Sequence, residues 1–178
     1  MRRFLVLVFL TIALGFPNEV FADNTPARCV ITIKSVWLQK NSGEWAAIIE
    51  PDRLADLATE EPVISFFNDG RRVIPGNYRN FKITLLRTIK LTDGNGTHFL
   101  YEAPYDEILI YGKGDLKEFL KVKARSFVSV WFEWDLSGTV VYQDSKVSFL
   151  PPKKIKQITI VVDDHKVVIS GENVLMVI

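Results

Sequence analysis

The chain has 178 residues, of which 48% are hydrophobic and 24% charged, a balance typical of a folded protein rather than a disordered one. Its 22 basic and 21 acidic side chains become 20 of each sign if Arg2, Arg3 and Glu19 leave with a leader. A neutral chain gives no electrostatic reason to expect a nucleic-acid partner. One cysteine excludes an internal disulfide framework, and two histidines offer little material for a metal site, so we expect neither metal nor cofactor.

Residues 1–22 have the pattern of a secretory signal peptide. A basic start precedes an apolar run over residues 4–16, and Val20-Phe21-Ala22 ends the segment with a small-residue cleavage pattern. The run is shorter than the roughly 20 residues that a helix needs to span a bilayer. We therefore expect an exported protein, periplasmic or extracellular, with no stable membrane span after cleavage and one domain over residues 23–178. An uncleaved anchor or a buried core helix is the alternative.

Short runs of alternating apolar and polar residues, separated by Gly, Pro, Asn and Asp, predict an all-β chain. In the first run, residues 30–38, the alternation changes phase at Lys34-Ser35, where we expect a bulge. Asn41-Ser42-Gly43 then turns the chain into a hairpin strand over residues 44–49. Cys29 opens the first run and is expected to be buried as a small apolar residue, with intermolecular pairing as the alternative.

Residues 51–61 are the best helix candidate. Pro51 suits a first helical turn, and Leu54, Leu57 and Ala58 would share one face, so we predict a short helical crossing between strands. A series of short strands with one helical turn predicts a sandwich or a barrel. The later strands are expected at residues 63–67, 81–91, 97–101, 108–111, 119–123, 127–134, 139–142, 147–150, 155–162, 167–169 and 174–178, the last two paired across residues 170–173.

The strand predicted at residues 127–134 has two different faces. Val128, Val130, Phe132 and Trp134 point one way, and Phe127, Ser129, Trp131, Glu133 and Asp135 point the other. The second set mixes an indole with polar groups, as a sugar-stacking face does. The candidate ligand-binding residues are Trp131, Glu133 and Tyr142. In the alternative interpretation, the tryptophans are packing residues. This would also apply to Trp37 and Trp45, which lie on either side of the first turn.

The sequence carries no recognisable catalytic or metal-binding motif. His98 and His165 lack motif-like neighbours, and G-x-S-x-G, H-E-x-x-H and paired-cysteine spacings are absent. The segment from Asp93 has the oxygen ligands of a calcium loop, but His98 and Pro104 occupy the positions that glycine and glutamate take there. We therefore predict a hairpin turn at residues 93–96, no metal ligand and no catalytic residue. A small hydrolase with an unrecognised site is the alternative.

Residues 174–178 are an apolar terminal strand, which must be covered by its own sheet or by another subunit. Cover by its own sheet is the first expectation. In the alternative, the protein is a structural subunit of a surface filament or adhesin that oligomerises by strand exchange through residues 23–38 or 174–178.

An ordered series of segments over roughly residues 29–160 resembles a family of bacterial cell-envelope β-sandwich domains of unknown function, described as prealbumin-like or immunoglobulin-like. The segments are Val30-Ile31-Thr32-Ile33-Lys34-Ser35-Val36-Trp37-Leu38, Gly43-Glu44-Trp45, residues 54–57, Ile74-Pro75-Gly76-Asn77-Tyr78, Gly114-Asp115-Leu116-Lys117, Phe132-Glu133-Trp134-Asp135 and Leu150-Pro151-Pro152. The resemblance implies an envelope location and a β-sandwich, and supplies no catalytic residue. Unlike lipoproteins of the family, this chain has Arg28 before its cysteine, which does not fit lipid attachment.

The sequence as a whole predicts an immunoglobulin-like or prealbumin-like β-sandwich with one short helical crossing, preceded by a signal peptide. Its expected role is that of a secreted or periplasmic, non-catalytic binding module of the bacterial cell envelope. The expected ligand is a carbohydrate or another envelope protein.

Overall fold

A computed structural model describes residues 25–48, 52–116, 120–137, 140–143, 146–149 and 155–177, with the segments 140–143 and 146–149 described by their backbone alone. The predicted signal peptide, residues 1–22, lies outside the described residues. Within them, thirteen strands and one 3₁₀ turn (Gly171–Asn173) make up the regular structure. The strands are β1 (Arg28–Lys40), β2 (Trp45–Ile48), β3 (Arg53–Asp56), β4 (Ile64–Asn68), β5 (Gly76–Thr92), β6 (His98–Gly112), β7 (Leu120–Val122), β8 (Ser126–Trp134), β9 (Val140–Gln143), β10 (Lys146–Phe149), β11 (Ile155–Val162), β12 (His165–Ser170) and β13 (Val174–Val177).

The larger of two main antiparallel sheets has seven strands. Its order is β13-β6-β5-β1-β2, with β3 beside β1 and β7 beside β5. The pairing of β1 with β5 shifts register between Ile33 and Ser35, which confirms the predicted bulge. The predicted hairpin turn after β1 is also confirmed, because the Gly43 N–H donates to the Lys40 carbonyl over 2.9 Å.

The smaller sheet has four strands in the order β12-β11-β8-β4, and β9 and β10 form a separate hairpin. Inward-facing side chains of the two main sheets meet directly. Val36, Phe81 and Ile83 of the larger sheet surround the same small internal space as Phe66 and Val130 of the smaller one. Burying a large apolar side chain stabilises a fold by about 1.5–3 kcal/mol, so this shared core holds the two sheets together. The architecture is compatible with the predicted β-sandwich.

The predicted helix over residues 51–61 is wrong, because the described part of this segment forms β3 followed by a turn. Strand β3 pairs antiparallel with the first half of β1. Leu54 is 63% exposed, whereas Leu57 is buried. The apolar face that favoured a helix therefore does not exist, since its members point in different directions.

Asp56 explains why this segment is extended. Its carboxylate accepts hydrogen bonds from Arg28 Nε at 2.8 Å and from the Cys29 N–H at 3.0 Å, which tie the end of β3 to β1. The Ala58 N–H donates to the same carboxylate over 3.1 Å, which starts a turn of the Asx type. Burial raises the pKa of Asp56, but these hydrogen bonds outweigh it and hold that pKa below its ordinary value.

Two predictions about strand division and pairing are also wrong. The strands expected at residues 97–101 and 108–111 are both parts of β6, which bulges over residues 103–106 where its pairing with β5 shifts. This bulge interrupts the alternation without ending the strand. The strands expected to pair across residues 170–173 lie in different sheets. Strand β12 pairs with β11, whereas β13 pairs with β6 and so is covered on that side by its own sheet.

Candidate functional site

The outward face of β8 carries two of the residues that the sequence singles out for ligand binding. Trp131 is half-buried and Glu133 is exposed, whereas the neighbouring Val130 and Phe132 are buried in the core. This arrangement confirms that β8 has one inward and one outward face, as predicted, and follows from the two-residue period of a strand. Trp131 and Glu133 therefore lie side by side on one surface.

Tyr142 is the third predicted residue. It lies in β9, opposite Val147 of β10. Its side chain is outside the part of the chain that the structure describes, and its participation in the site stays a prediction.

A groove of about 620 Å³ opens beside Trp131 and Glu133. Strands β8, β11 and β12 line it, together with the turn at residues 57–61 that follows β3. A volume of this size lies within the range of about 300–1,000 Å³ that small-molecule sites occupy. The two described candidate residues therefore border a cleft rather than a flat surface.

Cross-strand pairing places the polar partners of Trp131 and Glu133. Thr159 of β11 lies directly opposite Trp131, and Gln157 lies opposite Glu133. Gln157 Nε2 donates to Glu133 Oε1 over 2.6 Å, so the amide and the carboxylate hold each other in place. The Thr159 hydroxyl thus lies beside the Trp131 indole, and the Gln157 amide and the Glu133 carboxylate form the next cross-strand pair on the same face.

Charged residues of both signs line the groove. Glu60 and Glu61 come from the turn, and Lys156 and Lys166 come from β11 and β12. Lys156 Nζ lies 3.9 Å from Asp135 Oδ2, a loose ion pair at the end of β8. Because acids and bases are mixed, the groove has hydrogen-bond donors and acceptors but no dominant charge.

Strands β11 and β12 and the turn at residues 57–61 also line the site, and their contributions were not predicted from the sequence. Thr159 and Val161 are two residues apart on β11, so the period of a strand places them on one face, and this spacing is visible in the sequence. The pairing of β11 with β8 is not visible there. The turn was missed because its segment was predicted to be a helix.

A second aromatic group lies on the larger sheet. Lys82 Nζ is 5.0 Å from the ring centroid of Trp37 and 5.4 Å from that of Trp45, distances typical of cation–π contacts. The hairpin register places Trp37 opposite Ala47 rather than opposite Trp45. The lysine therefore joins the two tryptophans, and they lie on a different sheet from the groove.

The residues considered for metal binding have other roles. Within the described residues, no three His, Cys, Asp or Glu side chains are grouped so that they could hold a metal ion. The Asp93 carboxylate accepts hydrogen bonds from the N–H groups of Asn95 and Thr97 at 2.9 and 2.8 Å, which confirms the predicted hairpin turn. His98 lies just after this turn, with Nδ1 3.1 Å from Thr92 Oγ1.

Cys29 is fully buried at the start of β1, as predicted. Burial, together with the nearby Asp56 charge, raises the pKa of the Cys29 thiol to about 12. The thiolate is the nucleophilic form of cysteine, so this side chain is held in its unreactive state.

Comparison with protein-family models, curated proteins and solved structures found no significant match to this chain. Among the residues that the structure describes, we find no helix with the length and apolar character needed to cross a bilayer.

Proposed function

We propose that the protein is a non-catalytic binding module whose ligand is a glycan, held in the groove beside Trp131. The observation that carries this proposal is the half-buried indole of Trp131, which lines the groove next to the Glu133–Gln157 pair and opposite Thr159. Sugars present an apolar C–H face bordered by hydroxyl groups. A ring for stacking and fixed donors and acceptors at its edge are the groups that recognise such a ligand.

The charge distribution favours a neutral glycan. Glutamates and lysines share the groove, so neither an anionic nor a cationic ligand would find a complementary field. The polar groups instead supply acceptors at Glu133 and donors at Lys156 and Lys166. We therefore place neutral sugars before acidic ones.

The envelope location and the finer fold assignment belong to the same proposal. The leader at residues 1–22 supports export, and the ordered segments described above support kinship with the prealbumin-like or immunoglobulin-like envelope domains.

Tyr78 adds to this support. Its hydroxyl donates to the Ile74 carbonyl where the chain passes from β4 in the smaller sheet to β5 in the larger, an arrangement like the tyrosine corner of immunoglobulin-like sandwiches. N-terminal sequencing of exported material tests the cleavage after Ala22.

A glycan array followed by calorimetric titration tests the binding function. We expect the mature protein to bind one or more neutral glycans, and Trp131→Ala to weaken that binding about tenfold or more because the stacking platform is lost. Trp45→Ala is the matched control, since it removes an exposed tryptophan from the other sheet. An array with no binding, or equal affinities for the native protein and Trp131→Ala, contradicts the proposal.

An assay for new reducing ends separates binding from hydrolysis. We expect the bound glycan to stay intact during long incubation. Cleavage that disappears in Glu133→Gln would show instead that the groove is the site of a glycoside hydrolase, in which paired carboxylates do the chemistry.

A further inference from the structure

A second aromatic platform lies on the same face as Trp131, further along the smaller sheet. Phe67 of β4 and Phe127 of β8 are directly opposite each other, and they are 56% and 52% exposed. Contiguous exposed apolar groups, unlike single exposed side chains, often mark interaction sites in monomeric proteins. Phe127 and Trp131 are four residues apart on one strand, so both side chains project from the same face.

A row of cross-strand neighbours from four strands separates the two platforms. Ser129 lies between Phe127 and Trp131 and opposite Ser65, with the two hydroxyl oxygens 3.3 Å apart. Val161 and Lys166 continue this row across β11 and β12. Serine is shorter than phenylalanine or tryptophan, so Ser65 and Ser129 rise less above the sheet than the platforms on either side.

The groove beside Trp131 already reaches this row, because Val161 and Lys166 line it. The row therefore lies between the groove at Trp131 and the Phe67–Phe127 pair, and a ligand that runs along β8 crosses it. At about 3.4 Å per residue, Phe127 and Trp131 are about 14 Å apart along β8. This span exceeds one sugar ring, so a single sugar cannot touch both platforms.

We propose that the outer face of the smaller sheet binds a linear glycan chain, which lies along β8 and stacks on Trp131 and on the Phe67–Phe127 pair. This inference rests on the proposed function and extends it from a single subsite to a chain-binding surface. Ser129 is buried, so the polar groups that this row offers to a ligand are the half-buried Ser65 hydroxyl and the exposed Lys166 ammonium. Polar groups between aromatic stacking surfaces suit a sugar chain better than the apolar side chains of a protein partner.

The test is a titration series with oligosaccharides of increasing length, from the monosaccharide to the hexasaccharide, of the sugar that the array selects. We expect the affinity of the native protein to rise at least about tenfold from the shortest ligands to the longest, because the longer chains reach the second platform. Phe127→Ala should remove that gain and leave the affinity for the shortest ligands within about twofold. Phe67→Ala is the second variant at the same platform, and Tyr105→Ala, which removes a 59% exposed aromatic residue from β6, is the control.

The outcomes distinguish this inference from the proposed function. Equal affinities at every length, or a Phe127→Ala protein that binds the whole series like the native protein, overturn the chain-binding surface while leaving the Trp131 site standing. A Trp131→Ala protein that binds all lengths like the native protein overturns both. Failure of the native protein to bind any glycan, together with a protein partner whose binding is lost in Phe127→Ala, assigns this face to protein recognition and also overturns both.

Discussion

Asn68 is a fully buried polar residue at the end of β4, where the chain leaves the smaller sheet. Its Nδ2 donates to the carbonyls of Val73 and Lys123 at 3.0 and 2.9 Å. Its Oδ1 accepts from the N–H groups of Gly70 and Val73 at 3.1 and 3.2 Å. The side-chain amide of Asn68 thus donates two hydrogen bonds and accepts two. These four bonds fix the loop that connects the two sheets.

Asn68→Ala should lower the free energy of unfolding by about 2–4 kcal/mol, because it leaves several buried backbone groups without partners. The measurement is urea unfolding of the mature protein. Asn77→Ala is the control, since Asn77 is exposed at the start of β5. A loss below about 1 kcal/mol for Asn68→Ala would show that its hydrogen bonds are replaced by water.

The buried thiol of Cys29 predicts slow chemical modification of the native protein. At pH 8, alkylation should be at least about a hundredfold slower in the native state than in concentrated guanidinium chloride, because the thiolate is rare and inaccessible. Mass spectrometry of the alkylated chain measures both rates. Comparable rates in the two states would place Cys29 at the surface.

The same thiol contributes a pH-dependent term to stability. Its pKa is raised from an ordinary 9.0 to about 12, so the folded state favours the protonated form. This contribution is fully present below the pKa of the unfolded thiol and is lost as pH rises from about 9 toward 12. The difference in unfolding free energy between the native protein and Cys29→Ala should therefore shrink over that range. A difference that stays constant from pH 8 to pH 11 would contradict the raised pKa.

At the scale of elements, the 3₁₀ turn between β12 and β13 is a tight crossing from the smaller sheet to the larger. Gly171 lies so close to β11 that a methyl group on its Cα would overlap the carbonyl oxygen of Ile155. Gly171→Ala should cost about 1–3 kcal/mol because the backbone must move apart, as measured by thermal or urea unfolding. Gly114→Ala is the control, since a methyl group there meets nothing within 4 Å. Equal stability of the two variants would mean that the backbone at Gly171 moves away from Ile155 without a measurable cost in free energy.

Elements were predictable from sequence where alternation is regular and a turn is marked by Gly, Asn or Asp. Strand β8 and the hairpin turn at Gly43 show this. The helix prediction for residues 51–61 was wrong because Asp56 forms its decisive hydrogen bonds with Arg28 and Cys29, which are far away in the sequence. The predicted pairing of β13 was wrong for the same reason, since its partner β6 lies more than 60 residues earlier.

The candidate site was predictable only within a single strand. The two-residue period placed Trp131 and Glu133 on one face without any tertiary information. Thr159, Gln157 and Lys166 join them through strand pairing, which the sequence does not encode in a readable pattern. The Phe67–Phe127 platform was missed for the same reason, because its two members come from strands that pair across about 60 residues.

At the scale of the whole molecule, both terminal strands are used within the chain. Strand β1 lies inside the larger sheet, between β5 and the pair β2 and β3, and β13 pairs with β6. Strand exchange would require these pairings to break first. We therefore expect the mature protein to have the mass of one chain in light scattering, also at high concentration. Assemblies that grow with concentration would favour the filament or adhesin alternative.

The glycan-binding surface is tested most directly by amide NMR spectra of the mature protein during titration with the glycan that the array selects. We predict that the shifted resonances belong to β8, β11, β12 and the turn at residues 57–61, and extend to Phe67 and Phe127 with longer chains. Resonances that shift only on the larger sheet, near Trp37 and Lys82, would contradict it, as would a spectrum that does not change at saturating glycan.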